Sequence, residues 1–253
     1  MRPALSAALL VGLLSSAALC AAEKTSVLFI GNSFTYVNDM PGMFSKIARS
    51  LGHEVEVDML APGGYGFGEH ARDPKTQAKL GLRKWSFVAL QDQSQRPAFP
   101  DGQFSSQVLP EALRLGEAVH AEAPEANTVF FETWGYKSGD RQNCSAEPEV
   151  CTYDGMQNRL SSAYSEFARK SAGRVVPVGR AWRKVRLTHP EIELYAGDGI
   201  HPSSQGSYLA ACVFYSFIFR TGFSGADPLG LEPAQASILQ KIAQEAVFHP
   251  SPK

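Results

Sequence analysis

Five short stretches of this chain hold residue types that can do acyl-transfer chemistry together. Gly31-Asn32-Ser33 offers a hydroxyl nucleophile. Ala61-Pro62-Gly63-Gly64-Tyr65-Gly66 offers a glycine turn whose N–H groups can approach an oxyanion closely. Gln91-Asp92-Gln93-Ser94-Gln95 offers side-chain amides, and Trp134-Gly135-Tyr136 offers aromatic surface. Asp198-Gly199-Ile200-His201-Pro202 offers a base with a carboxylate three residues away. Nucleophile, oxyanion donors, base and orienting acid are the parts that ester cleavage through an acyl-enzyme needs. Each motif alone has a plainer reading. A serine after a strand is commonly a turn or cap residue, and Asp-Gly makes turns. Their joint order along the chain carries the information.

These residues need elements to bring them to one place. Ser26–Ile30 is a continuous apolar run, as a strand buried on both faces should be. Glu54–Leu60 alternates, with Val55, Val57 and Met59 on one side, as an edge strand does. Phe87–Leu90, Thr128–Thr133 and Arg174–Val178 complete five strands. Helices are expected over Pro41–Leu51, capped by Asn38 or Asp39 and stopped by Gly52, and over Pro110–Glu122 and Met156–Ser171. A fourth runs from Ser203 or Ser204 to about Arg220, and a last over Pro233–Phe248. Strands alternating with helices predict a doubly wound α/β fold: a three-layer α/β/α sandwich around a flavodoxin-like parallel sheet of order 2-1-3-4-5. In such sheets the functional crevice lies beyond the C-terminal strand ends. Four of the five motifs directly follow a strand, and Asp198–Pro202 precedes the fourth helix.

The pattern resembles the SGNH (GDSL-type) hydrolase superfamily, from Val27 to about Arg220. Asp198-Gly199-Ile200-His201-Pro202-Ser203 followed by an apolar helix is its most specific piece. The resemblance implies Ser33 as nucleophile and, through its N–H, as oxyanion donor. It implies His201 as general base, Asp198 as the residue that orients it, and Gly64 as second oxyanion donor, with Gly63 as the alternative. Two positions depart from the family pattern. Asn32 stands where the motif has Asp; it keeps a polar side chain at a position that is not the nucleophile, so little loss is expected. Gln93 falls by offset where the family has an oxyanion Asn, and its amide can donate the same bond. Gln91, on the same side of the strand, is a rival and a substrate-binding candidate. Leu90–Ser94 together with Gly206–Ala211 looks like a bacterial branch of the superfamily. The activity implied is a secreted serine esterase acting on small-molecule or glycan esters, O-acetyl and other O-acyl groups included. Acyl transfer to a sugar hydroxyl at the same site, and a non-catalytic carbohydrate-binding module, are the rival readings. Trp134 and Tyr136 serve either as a substrate-stacking platform or as rim packing. An α/β-hydrolase fold is disfavoured because the serine has no Gly-x-Ser-x-Gly elbow.

Composition narrows the classes. The 253 residues are 44% hydrophobic and 19% charged, which excludes a disordered chain. With 24 Lys+Arg against 25 Asp+Glu the net charge is -1, so nucleic acid is not an expected partner. The sequence leaves the oligomeric state open. Met1-Arg2, an apolar run to Leu19 and Cys20-Ala21-Ala22 read as a signal peptide over residues 1–22, leaving one domain over 23–253 in the periplasm or outside the cell. The apolar run Leu209–Phe219 is too short to span a membrane. In an oxidising compartment Cys144 and Cys151, in the polar loop Ser138–Asp154, should pair, and Cys212 should be buried. No ligand pattern for a metal appears, so neither metal nor cofactor is expected. His70 reads as a site-lining residue or as a helix-cap or surface histidine. His53, His120 and His249 read as surface residues. Arg180, Arg183, Lys184 and Arg186 read either as a basic patch for acidic polysaccharide or, more plainly, as a solvated helix face.

Overall fold

The computed structural model describes residues 24–248. The expected signal segment, residues 1–22, and His249 lie outside the described residues. Five parallel strands form one sheet in the order β2-β1-β3-β4-β5, with β1 (Thr25–Ile30), β2 (Val55–Leu60), β3 (Phe87–Leu90), β4 (Asn127–Phe131) and β5 (Arg174–Val176). The helices are α1 (Ser33–Tyr36), α2 (Met40–Ser50), α3 (Phe67–Arg72), α4 (Pro74–Leu80), α5 (Asp101–Gln103), α6 (Leu109–Glu122), α7 (Tyr153–Lys170), α8 (Val178–Thr188), α9 (Ser204–Phe219) and α10 (Pro233–Phe248).

Because side chains alternate along a strand, β1 feeds two cores. Val27 and Phe29 face α2, α8, α9 and α10. Leu28 and Ile30 face Phe67 of α3, Leu115 and Val119 of α6 and Phe167 of α7. Helix α9 is buried from Gly206 to Phe217, between α2 and α10. It is apolar all round because it is an interior helix. No helix among the described residues is long and apolar enough to cross a membrane.

The expected strand order holds, with β2 at one edge. Its alternation is weaker than expected, since Met59 is exposed. Strand β5 stops at Val176 because Pro177 has no N–H for the ladder, and α8 starts at the next residue. Two helices were not anticipated between β2 and β3. Asp73 separates them: it precedes Pro74, which disfavours helical backbone at Asp73, and its ψ is 117°. Its carboxylate then caps α4, accepting from Lys75 N at 2.9 Å. Helix α7 starts three residues before the expected Met156, because Thr152 Oγ1 accepts from Gly155 N. The basic run on α8 is not a bare solvated face. Arg186 lies 3.9 Å over the Tyr153 ring, Lys184 pairs with Glu245, and Arg183 binds Asp154 O and Asn158.

Candidate active site

The C-terminal ends of β1, β2 and β3 are laced together at Asn32. This residue caps α1, accepting from Phe34 N at 3.1 Å. Its own N–H donates to Gln91 Oε1 at 3.0 Å. Its amide Nδ2 donates to Tyr65 O at 2.7 Å, in the turn after β2, and to Asp92 O at 3.2 Å, in the loop after β3. One buried amide therefore holds three loops in register. A carboxylate could accept from Phe34 N but could not donate to two carbonyls. The side chain at this position thus does more than keep a polar group in place of the family's Asp: its amide joins the loops.

Ser33 follows at the first position of α1, where helix geometry leaves N–H groups without intrahelical acceptors. Beneath it, Gln91 Oε1 also accepts from Thr35 Oγ1 at 2.9 Å, and Gln91 Nε2 donates to Asp92 O. Gln91 is buried, with both its amide oxygen and its amide nitrogen engaged, so it is a brace rather than a substrate contact. His70 is buried as well, which corrects the site-lining and surface readings alike. Its Nε2 donates to Gly31 O at 2.8 Å and its Nδ1 takes the Thr76 hydroxyl at 3.2 Å. Burial pushes its pKa down, so it stands there as a neutral ring.

The histidine side is built on a tight turn. Asp198 Oδ1 accepts from the N–H groups of Ile200 at 2.9 Å and His201 at 3.0 Å, and Gly199 takes φ +69° between them. Asp198 Oδ2 lies 2.6 Å from His201 Nδ1, and His201 Nε2 lies 2.9 Å from Ser33 Oγ. Slight burial raises the Asp198 pKa, but the His201 ring and the two N–H groups outweigh it and hold the carboxyl below its usual range. The structure thus brings Ser33, His201 and Asp198 into one chain of hydrogen bonds.

Gly64 sits at φ +77° in an exposed turn, a conformation that calls for glycine. Gln93 does not share the fate of Gln91. Its Oε1 accepts from Gln95 N at 2.8 Å and Arg96 N at 3.3 Å, which fixes the amide plane. Its Nε2 has only a 3.5 Å contact, to Gln95 Oε1.

Trp134 is not a substrate platform. It has no exposed surface: Phe34 stacks on one side at 4.7 Å and Trp182 at 4.0 Å, and its Nε1 donates to Ile200 O at 3.0 Å. It supports the histidine turn from behind. Tyr136 is mostly buried, shares a 2.7 Å hydrogen bond with Ser94 and lines an open cleft of about 850 Å³ beside Asp198. The exposed aromatic near Ser33 is Tyr36, one turn along α1, whose hydroxyl overhangs Gly63. Its i+3 spacing from Ser33 was the available signal in the sequence.

No protein-family model and no curated protein matches the chain. Among solved structures, a candidate SGNH hydrolase from Slackia heliotrinireducens is 33% identical, covering 76% of this chain and 98% of that one, with a TM-score of 0.60. The chain belongs to the SGNH hydrolase superfamily. A DUF4886 family protein from Bacteroides uniformis superposes at a TM-score of 0.78 over 90% of this chain and 96% of that one, at 17% identity. The psychrotrophic esterase EstA from a Pseudoalteromonas species shares the fold at 12% identity and a TM-score of 0.54, covering 78% and 98%. The SGNH fold accounts for the sheet order and for motifs gathered at the strand ends. Cys144 and Cys151 are disulfide-bonded in the loop that follows the cleft-lining stretch 136–142, and Cys212 is a buried free thiol.

Proposed function

We propose that this SGNH protein hydrolyses carboxylic esters, O-acyl groups on glycans among them, through Ser33, His201 and Asp198. The observation that carries the reading is the continuous contact from Asp198 Oδ2 to His201 to Ser33 Oγ, at 2.6 and 2.9 Å. His201 takes the Ser33 proton as Oγ bonds to the acyl carbon. Asp198 holds the ring with Nε2 toward the serine and stabilises the imidazolium that forms. The carbonyl oxygen becomes an oxyanion, met by the N–H groups of Ser33 and Gly64 and by Gln93 Nε2. The bond from acyl carbon to alkoxy oxygen then breaks, and His201 gives its proton to the departing alcohol. Water, deprotonated by His201, attacks the acyl carbon, and the bond from that carbon to Ser33 Oγ breaks as His201 returns the proton to Oγ and the acid leaves. No step calls for a metal, and export to the periplasm or the exterior suits a hydrolase of polymer-bound esters.

The test is Ser33→Ala. It should lower kcat on p-nitrophenyl acetate by about 10⁴–10⁶-fold with unchanged circular dichroism. A fluorophosphonate should label wild type at Ser33, and EDTA should leave the rate unchanged. A Ser33→Ala variant with full activity overturns the reading.

A further inference from the structure

Two consecutive residues between α1 and α2 hold left-handed backbone. Asn38 stands at φ +57° and Asp39 at φ +54°, a region that favours glycine and that Asn and Asp tolerate better than other residues. Asp39 has a local use for it: its carboxylate accepts from Gly42 N at 3.2 Å and caps α2. The Asn38 side chain caps no helix. Its amide Nδ2 reaches across the site instead, donating to Pro202 O at 3.1 Å and to Ser207 Oγ at 3.0 Å, 164 and 169 residues away in sequence. Strained backbone without a local bond to justify it points to a function held in place by the surrounding fold.

The partners say what that function is. Asn38 lies a short way past Ser33, and Pro202 directly follows His201. Ser207 is buried in the first turns of α9 and donates to Val37 O at 3.3 Å. Val37, Ser207, Asn38 and Pro202 therefore form one clasp, in which both hydrogens of the Asn38 amide are used. Among the described residues, the hydrogen bonds between the Ser33 segment and the His201 loop with its helix all run through Asn38 and Ser207, apart from Ser33–His201 itself. The other supports of the histidine turn lead elsewhere: Trp134 Nε1 donates to Ile200 O, and Lys137 N donates to Gly199 O. Phe34 meets the His201 ring edge-on at 5.7 Å, a contact that resists compression but does little against separation.

We infer, on the esterase reading above, that Asn38 is a positioning residue: it tethers the His201 loop to the Ser33 helix and so sets the reach of Nε2 to Oγ. Proton transfer between them needs hydrogen-bond distance, and the observed 2.9 Å meets that need. A misplacement of about 1 Å costs about 10²-fold in rate. Asn38 itself is exposed, so water can solvate what its loss uncovers, and the fold does not depend on it. Rate and stability should therefore part company at this residue.

Asn38→Gly and Asn38→Asp test this on the full chain. Both residues accept left-handed backbone and both lack the amide donor, and Asp sets a carboxylate against Pro202 O. In each variant kcat on p-nitrophenyl acetate should fall about 10²-fold, with KM and Tm close to wild type. Fluorophosphonate labelling of Ser33 should slow at least about tenfold, because it too needs His201 to take the serine proton. Ser207→Ala keeps the Asn38–Pro202 bond and should lower kcat less than either. Wild-type kcat and labelling in both Asn38 variants, a kcat that falls only in step with Tm, or a larger loss in Ser207→Ala overturns the inference while the esterase reading stands. Wild type that neither cleaves p-nitrophenyl acetate nor is labelled at Ser33 overturns the esterase reading, and the inference with it.

Discussion

The two halves of the site are built from opposite materials. On the nucleophile side, the loops after β1, β2 and β3 are fastened by buried hydrogen bonds through Asn32, Gln91 and His70. On the histidine side, Asp198 and His201 stand partly in solvent, and the adjoining wall is held by surface pairs such as Lys137–Glu193, with a disulfide in the loop beyond it. Donors that meet a developing oxyanion are worth most when fixed and dry, so the first half tolerates little change. A wall that contacts a variable substrate can lie in loops, where substitutions are borne more easily.

Asn32→Asp should separate the halves most sharply. At neutral pH the new carboxylate would face the carbonyls of Tyr65 and Asp92 with no proton to give. An unpaired buried charge costs about 3–5 kcal/mol, and a displaced glycine turn costs about 10²-fold in rate. The expected result is a kcat about 10²–10³-fold lower, a smaller change in KM and a clear fall in Tm, read by steady-state kinetics and thermal melts. Wild-type kcat and Tm in this variant would mean that the lacing does not hold the donors. A polar replacement on the far wall, Gln142→Asn, should leave stability within about 0.5 kcal/mol of wild type.

The next largest effect should divide two neighbouring glutamines. Gln93 has its oxygen fixed and its Nε2 nearly free, as a donor to transition-state charge requires. Gln93→Ala should lower kcat about 10²-fold with little change in KM or Tm. Gln91→Ala should do the reverse, lowering Tm because Asn32 N and Thr35 Oγ1 lose their acceptor. If Gln91→Ala alone cripples kcat at unchanged Tm, the donor is two residues earlier. If neither alters kcat, the oxyanion is held by backbone alone.

The sequence made the sheet legible because apolar runs and alternation are local signals, and Phe87–Leu90 and Pro233–Phe248 coincide with the observed β3 and α10. The Ser33, Asp198 and His201 candidates were legible because each sits in a short motif at a strand or helix end. The inside of the site was not. Whether a glutamine braces or points outward depends on which backbone groups lie across the sheet, 59 residues away for Asn32 and Gln91. The choice between platform and packing for Trp134 stayed open for the same reason. Nothing near it in sequence announces that Phe34 and Trp182 close over both its faces.

Opening the Cys144–Cys151 bond should test the far wall alone. The closed loop is short, so its loss should lower stability by about 2–3 kcal/mol. Mass spectrometry of unreduced peptides should find the pair joined in exported protein. The Cys144→Ser/Cys151→Ser double variant should melt lower while a fluorophosphonate still labels Ser33 at close to the wild-type rate. A labelling rate that falls with the disulfide would join the two halves into one unit.

The smallest expected effect is a slope with pH, and its sign should differ between the halves. Asp92 lies under the laced loops. Its Oδ1 accepts from Phe67 N at 2.8 Å, and its Oδ2 has no partner among the described residues. Burial, only partly offset by Arg96 and by the N–H groups of Phe67 and Gln93, pushes its pKa up from 3.8 to about 6. The folded state therefore holds a proton that the unfolded chain has released between those values. The contribution of Asp92 to stability is full below the lower value and is lost as pH rises through the upper one. Glu193 on the far wall runs the other way. Slight burial raises its pKa, but Lys137 and Tyr195 N outweigh it and hold the carboxyl below 4.5. Its share is present above 4.5 and is lost as pH falls through the lower folded value. The Tm of Asp92→Asn minus that of wild type should thus rise between about pH 4 and 7. For Glu193→Gln the same difference should be most negative above 4.5 and shrink toward zero in acid. A flat difference for Asp92→Asn across that range would show that the buried carboxyl does not titrate with folding, and the contrast between the dry half and the wet half would lose its electrostatic part.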